Sequence, residues 1–222
     1  MKAKRIIGML LCVLMLSVTT VAQELFWEIK LHNSQNTDIF EREVSAYVDN
    51  GYVPLGVTYE GDELYILYVE DPDFGVLAWS LEWYDNRDSI REAITANMED
   101  GYIPTGITYT GDMFYVLFVK VDSSADAWQL IPSGTNLQSV QQEIQAYVDQ
   151  GYLPSGITAL GDEYWTLLLH IPGTTAEYWR LETYEAGTHG AAIDANIDRG
   201  YFPWGLMYNV NAGEIDILYV GF

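Results

Sequence analysis

Basic residues and cysteine are scarce in this sequence. Its 222 residues include ten Lys and Arg against 32 Asp and Glu, which gives a formal net charge of −22 at pH 7. A chain this acidic repels phosphate backbones and anionic lipid, so the composition argues against nucleic acid and membrane-surface partners. With Cys12 as its only cysteine, the chain cannot form an internal disulfide. Apolar residues make up 49% of the sequence and aromatic residues 14%, enough to bury a sizeable core.

The first 22 residues are predicted to be a secretory signal peptide. Three of the first five residues are basic, residues 6–16 are apolar, and small side chains precede Ala22. The apolar run is shorter than the roughly 20 residues that a membrane-spanning helix needs. We therefore expect cleavage after Ala22, export to the periplasm or the medium, and no membrane insertion of the mature chain. That chain would lack Cys12 and carry seven basic against 32 acidic residues, a net charge of −25.

Internal repetition organises the rest of the chain. The motif Gly-Tyr-x-Pro-x-Gly begins at Gly51 and returns at Gly101, Gly151 and Gly200, with spacings of 50, 50 and 49 residues. A tryptophan precedes each copy by just over twenty residues: Trp27, Trp79, Trp128 and Trp179. This period predicts that residues 23–222 form a single repeat array. Its four units span residues 24–73, 76–122, 126–173 and 176–222.

The units alternate between two kinds. Units one and three share Ala-Tyr-Val-Asp at 46–49 and 146–149, whereas units two and four share Ala-Asn at 96–97 and 195–196. Trp-x-Leu-Glu also occurs only in units two and four. The order ABAB indicates duplication of a two-unit block and predicts a pseudo-twofold axis relating residues 24–122 to 126–222.

Each unit is predicted to be α+β with the order strand, helix, strand, strand. The first strand alternates apolar and polar residues, and the helix carries apolar residues 11, 7 and 3 positions before the motif glycine, except that unit four has His189 at the first of these positions. That glycine suits the left-handed residue that ends a helix, and a Gly-Asp pair suits the following hairpin turn. The last strand is apolar on both faces, which favours the sheet order 1-3-2 with this strand central. The four unit tryptophans are expected in the core, and the predicted N-caps are Thr37, Asp88, Asn136 and Thr188.

Tryptophan, helix, Gly-Tyr-x-Pro, strand, glycine turn and tyrosine-rich strand together resemble bacterial tandem-repeat modules of about fifty residues. Such βαββ modules also form the N-terminal part of polyglycine hydrolases. The resemblance covers residues 24–222 and implies the fold and the tandem architecture. The hydrolase chemistry of those relatives belongs to a separate serine-dependent domain, so the resemblance implies no activity for this chain.

Few residues point to catalysis or metal binding. His32, His170 and His189 occupy different places in their units and are interpreted as isolated surface histidines, without zinc-ligand spacing. No Gly-x-Ser-x-Gly motif accompanies them. The Gly-Asp turns are interpreted as hairpin turns rather than calcium loops. We therefore predict no catalytic residue, no cofactor and no metal.

Trp204 is the candidate contact residue. It stands between the motif proline and glycine, where the other units carry Leu55, Thr105 and Ser155. A position that accepts Thr and Ser suggests partial exposure, and an exposed indole can stack on a sugar or anchor a partner. The alternative is that Trp204 packs on a neighbouring unit.

These features favour an exported acidic repeat protein that acts as a non-catalytic binding module for an unknown protein or carbohydrate ligand. One alternative is a structural surface or envelope component that self-assembles into a homo-oligomer. The other is a hydrolase that uses an unrecognised carboxylate pair.

Overall fold

The computed structural model describes residues 25–33, 36–61, 63–71, 74–122, 125–185, 187–209 and 212–222, so the predicted signal peptide lies outside the described residues. Unit one contains β1 (Trp27–Asn33), α1 (Thr37–Asp49), β2 (Tyr52–Glu60) and β3 (Glu63–Glu70). Unit two contains β4 (Ala78–Tyr84), α2 (Arg87–Glu99), β5 (Tyr102–Tyr109) and β6 (Phe114–Lys120). Unit three contains β7 (Ala127–Gly134), α3 (Leu137–Val148), β8 (Tyr152–Leu160) and β9 (Glu163–His170). Unit four contains β10 (Tyr178–Glu185), α4 (Gly190–Ile197), β11 (Phe202–Asn209) and β12 (Glu214–Gly221).

The predicted α+β fold of four βαββ repeats is confirmed. Each unit forms a three-stranded antiparallel sheet in which the last strand lies between the other two, as in the order β1-β3-β2. The central strands are buried on both faces because one face packs on the unit's own helix and the other on the preceding unit's helix. In β3, for example, the neighbouring residues Ile66 and Leu67 point to opposite faces and neither is exposed.

The helices follow the predicted apolar spacing. The side chain seven positions before the motif glycine is completely buried in every unit: Val44, Ile94, Ile144 and Ile193. The motif glycines have φ values between 85° and 91°, which confirms that they end the helices in the left-handed region: Gly51, Gly101, Gly151 and Gly200.

Asparagine caps three of the four helices. The side-chain oxygens of Asn36, Asn86 and Asn136 accept hydrogen bonds from backbone amides of the first turn. The prediction was right for Asn136 but wrong for Thr37 and Asp88, which lie inside the first turn of their helices. It was also wrong for Thr188, because His189 occupies the cap of α4 without a side-chain cap bond.

The four units close into a ring. The second strands β2, β5, β8 and β11 contact one another in sequence, and β11 contacts β2. Their backbones meet at the last glycine of each motif. A Cβ placed on Gly106 would lie 2.8 Å from the Val57 nitrogen, and one on Gly56 would lie 3.0 Å from the Gly205 Cα. Glycine is therefore needed where neighbouring second strands approach this closely.

Tryptophans join each sheet to the helix of the preceding unit. In three units the indole Nε1 donates to a side chain six positions before the motif glycine of that helix. The pairs are Trp79 with Ser45 (3.2 Å), Trp179 with Gln145 (2.9 Å) and Trp27 with Asp194 (2.7 Å). The four unit tryptophans are half-buried at the edges of the clusters. The expectation that they are core residues was therefore wrong, because in these three the indole N–H reaches a polar acceptor beside solvent.

Candidate functional site

Trp204 is buried, with 4% of its surface exposed, so the prediction of partial exposure was wrong. It lies where the register of β11 shifts between Pro203 and Gly205, and its ring approaches those of Phe202 and Phe222 at 6.0 Å each. It belongs to the hydrophobic core that spans all four units. The structure therefore agrees with the alternative interpretation, in which Trp204 is a packed residue rather than an exposed contact residue.

The residues at the equivalent position explain this error. Thr105 and Ser155 are fully buried, as Trp204 nearly is. The Thr105 hydroxyl donates to the Pro54 carbonyl over 2.9 Å, and the Ser155 hydroxyl donates to the Leu167 carbonyl over 3.4 Å. A small hydroxyl side chain is tolerated in the core when the backbone supplies its hydrogen-bond partner.

His32 is buried in a hydrogen-bonded cluster of unit one, so its interpretation as a surface histidine was wrong. Only 1% of its surface is exposed. Its Nδ1 lies 3.0 Å from the Glu43 carboxylate and its Nε2 lies 2.9 Å from the Tyr68 hydroxyl. Burial lowers the pKa of His32, although the hydrogen bond and charge of Glu43 act in the opposite direction.

A hydroxyl, an imidazole and a carboxylate in this order can activate a nucleophile. The Tyr68 side chain, however, is fully buried, and its ring stacks on Tyr47 with a centroid distance of 4.2 Å. Burial raises the pKa of the Tyr68 hydroxyl far above its usual range. A substrate cannot reach this oxygen in the structure, so the cluster acts as a polar part of the core.

A second polar cluster surrounds Glu182 in unit four. Its carboxylate accepts hydrogen bonds from the Tyr184 hydroxyl, from Asn196 at 2.8 Å and from Arg180 at 2.9 Å. Burial acts to raise the pKa of Glu182, but these hydrogen bonds and the Arg180 charge together lower it. The Arg180 guanidinium also lies 3.9 Å above the ring of Tyr201.

Unit two repeats part of this cluster. Glu82 accepts hydrogen bonds from the Tyr84 hydroxyl and from Asn97, as Glu182 does from Tyr184 and Asn196. Ser80 takes the place of the arginine. The shared arrangement in units two and four follows the ABAB pattern of the sequence, whereas the guanidinium is specific to unit four.

Asp216 stands where the other units carry an aromatic residue. It is 2% exposed, and its carboxylate accepts a hydrogen bond from the Thr183 hydroxyl. Burial raises its pKa. Among the described residues, which exclude Asp62, no three His, Cys, Asp or Glu side chains are grouped so as to hold a metal ion.

The exposed indole of this protein is Trp83, with 63% of its surface exposed. It lies on β4, an outer strand of its sheet, directly opposite Tyr115 of β6. The Tyr115 ring stacks on Tyr59 of unit one with a centroid distance of 6.0 Å and an angle of 7° between planes. The alternation of Trp79, Leu81 and Trp83 in the sequence was the available signal that these side chains share one face.

A cavity of about 420 Å³ that is open to solvent lies at the start of α2, and the residues that line it are all exposed: Asn86, Arg87, Asp88 and Arg91. The Arg87 guanidinium lies 4.8 Å above the ring of Trp165, and Arg91 Nη2 donates to the Leu130 carbonyl over 3.2 Å. Both partners belong to unit three, so the two guanidinium groups lie where units two and three meet, although the four lining residues of the cavity all belong to unit two. Within the described ranges, neither arginine forms an ion pair with a carboxylate. Sequence reasoning missed both arginines.

No helix in the described part of the chain has the length and apolar character needed to cross a membrane. Comparison of the sequence with protein-family models and with curated proteins gave no match.

Proposed function

We propose that this protein is an exported, non-catalytic binding module that holds a protein or carbohydrate ligand on an aromatic surface. That surface, the Trp83 surface, consists of Trp83, Tyr115 and Tyr59. The observation that carries the proposal is the exposure of the Trp83 indole on an outer strand.

The arrangement of these rings suits a flat apolar ligand face. Tyr115 and Tyr59 are held by their mutual stacking across units one and two, so they are ordered before a ligand arrives. Trp83 adds an indole on an outer strand, where 63% of the residue's surface is exposed. Large exposed aromatic side chains are typical of binding surfaces, because they bury much apolar area while losing little conformational freedom.

The self-assembly alternative has its own supporting observation. The outer strands β1, β4, β7 and β10 each pair with only one strand within the described sheets. An outer strand can accept a strand from a second copy of the chain, and Trp83 would then be an assembly contact. Light scattering after size exclusion separates the two functions, because a stable monomer is incompatible with self-assembly.

Ligand retention tests the binding function directly. The mature chain would be screened against a glycan array and against immobilised envelope proteins, with Trp83→Ala as the variant. Leu77→Ala is the matched control, because Leu77 is another exposed apolar residue of unit two, with 61% exposure. We expect Trp83→Ala to weaken retention about tenfold, equivalent to about 1.4 kcal/mol, and Leu77→Ala to retain the ligand. Equal retention by wild type and Trp83→Ala would reject the Trp83 surface.

A further inference from the structure

We propose that the cavity lined by Arg87 and Arg91 is a second ligand site, which binds the carboxylate group of a small molecule or of a polymer unit. This inference is independent of the function proposed for the Trp83 surface. It rests on the cavity, the anchoring of the two guanidinium groups and the absence, in the described chain, of an ion pair between either arginine and a carboxylate.

The arginines are a departure from the repeat. Three units keep the capping asparagine, as Asn36, Asn86 and Asn136. At the two arginine positions, however, unit one carries Thr37 and Glu41 and unit three carries Leu137 and Gln141. The helix therefore forms without arginine at either position. The two side chains are specific to the place where unit two meets unit three.

Contacts with unit three hold both guanidinium groups in place. The Arg87 guanidinium group lies over the face of the Trp165 ring. Its N–H groups point outward in the guanidinium plane, so they can donate hydrogen bonds to a ligand. Arg91 donates one hydrogen bond to the Leu130 carbonyl and retains further N–H donors. A guanidinium group held in this way loses little conformational freedom when it forms two parallel hydrogen bonds with a carboxylate.

The local charge favours a monoanion. Arg87 and Arg91 are two of only seven basic residues in the predicted mature chain. Asp88 also lines the cavity, so the three charged lining side chains sum to +1. Two further carboxylates lie just outside the lining: Asp85 accepts a hydrogen bond from Asn86, and Glu163 accepts one from the Trp165 indole N–H. These carboxylates repel a dianion more strongly than a monoanion, so the site favours one carboxylate over a phosphate dianion. The volume of about 420 Å³ lies within the range of small-molecule sites.

Nuclear magnetic resonance titration provides the test. The mature protein would be titrated at pH 7 and 150 mM NaCl with galacturonate, with galacturonate methyl ester and with inorganic phosphate. The indole N–H resonance of Trp165 is the readout, because this ring lies under Arg87. We expect galacturonate to shift this resonance with saturation in the millimolar range, the ester to have no effect, and phosphate to bind at least tenfold more weakly.

Variants locate the site. Arg87→Gln combined with Arg91→Gln should abolish saturation, whereas Asp88→Asn should tighten binding several-fold by removing a like charge. Arg42→Gln is the matched control, since Arg42 is an exposed arginine of α1 outside the cavity lining. If the double variant does not fold, Arg87→Lys replaces it. That change keeps the charge but loses the planar guanidinium group, and it should weaken binding at least threefold.

Several results would overturn the proposal. These are no saturable shift with galacturonate up to 50 mM, an equal response to the ester, or unchanged binding in the arginine variants. Phosphate binding as tight as galacturonate binding would overturn the assignment to a carboxylate.

Discussion

The indole Nε1 of Trp27 donates a hydrogen bond of 2.7 Å to the Oδ1 of Asp194, across 167 positions of the chain. This bond joins the first strand of unit one to the helix of unit four. The Trp27 ring also approaches His189, the residue before α4, with a centroid distance of 6.3 Å. Open repeat arrays leave each terminal unit with one uncovered face. Here units one and four cover each other, so the ring needs no separate capping unit.

Breaking this bond should loosen the ring at its closure. We expect Asp194→Ala to lower the free energy of unfolding by about 1 kcal/mol, the typical net value of one hydrogen bond. Amide hydrogen exchange should accelerate first in β1. Ser45→Ala is the matched control, because it removes the equivalent acceptor of Trp79 and should instead accelerate exchange in β4. Unchanged β1 exchange in Asp194→Ala would contradict a role for this bond in closure.

The glycines at the ring centre should differ in their tolerance of alanine. A Cβ on Gly106 would meet the Val57 backbone at 2.8 Å, whereas one on Gly205 would have its nearest neighbours at 3.6 Å. We expect Gly106→Ala to cost about 1–3 kcal/mol, as overpacking usually does, and Gly205→Ala to cost less than about 1 kcal/mol. Gly190→Ala, in α4 with no atom within 4 Å of the added Cβ, should be neutral or stabilising. Chemical denaturation measures all three, and equal losses would show that backbone approach does not set the requirement for glycine.

Much of each unit could be predicted from the sequence because its signals are local. The spacing of apolar residues predicts which face of the helix is buried, and the motif glycine predicts a residue with a left-handed backbone conformation at the end of the helix. The closure of the ring could not be predicted in the same way, because it depends on contacts between distant units. One signal of it was present: the last motif glycine occurs in all four units, at Gly56, Gly106, Gly156 and Gly205, without a turn to explain it.

The errors about single residues share a physical cause. Trp204 was expected at the surface because Thr105 and Ser155 are polar, yet backbone carbonyls satisfy both hydroxyls within the core. His32 was expected at the surface because histidine is polar, yet Glu43 and Tyr68 satisfy both ring nitrogens. The polar atoms of Thr105, Ser155 and His32 can be buried because their partners come from other strands and helices, which the local sequence does not reveal.

His32 should make stability depend on pH. Because burial lowers its pKa below the value of 6.5 in the unfolded chain, the unfolded state binds a proton more readily as the pH falls. The stability that depends on neutral His32 is therefore fully present above about pH 6.5. It is lost as the pH falls toward the lowered pKa of the folded state. Denaturation midpoints between pH 7.5 and pH 5 should decline less steeply in His32→Gln than in wild type.

Glu43→Gln provides a control of opposite sign. The Glu43 hydrogen bond and charge act to raise the pKa of His32, so their loss should lower that pKa further. The decline in stability below pH 6.5 should then be steeper in Glu43→Gln than in wild type. If His32→Gln and Glu43→Gln changed the slope in the same direction, titration of the buried imidazole would not be the cause.

The surplus of acidic side chains should make salt stabilising. In the predicted mature chain, seven basic residues face 32 acidic ones, so most carboxylates repel one another at neutral pH. Salt screens such repulsion over about 8–10 Å at physiological ionic strength. We expect the melting temperature to rise as NaCl is increased from 10 to 500 mM. A melting temperature that is constant or falls over this range would contradict net repulsion.

Comparison of the melting temperatures in calcium and in sodium distinguishes diffuse repulsion between carboxylates from a specific cation site. If the carboxylates only repel one another, CaCl₂ and NaCl at matched ionic strength should raise the melting temperature similarly, and EDTA should change little. A site that binds calcium in the folded state alone would add stability in proportion to the logarithm of calcium concentration above its dissociation constant. A large calcium effect at millimolar concentration, reversed by EDTA, would therefore overturn the prediction that the protein binds no metal. Because Asp62 belongs to one of the three Gly-Asp pairs of the sequence, Asp62→Asn would then test whether that pair supplies a ligand.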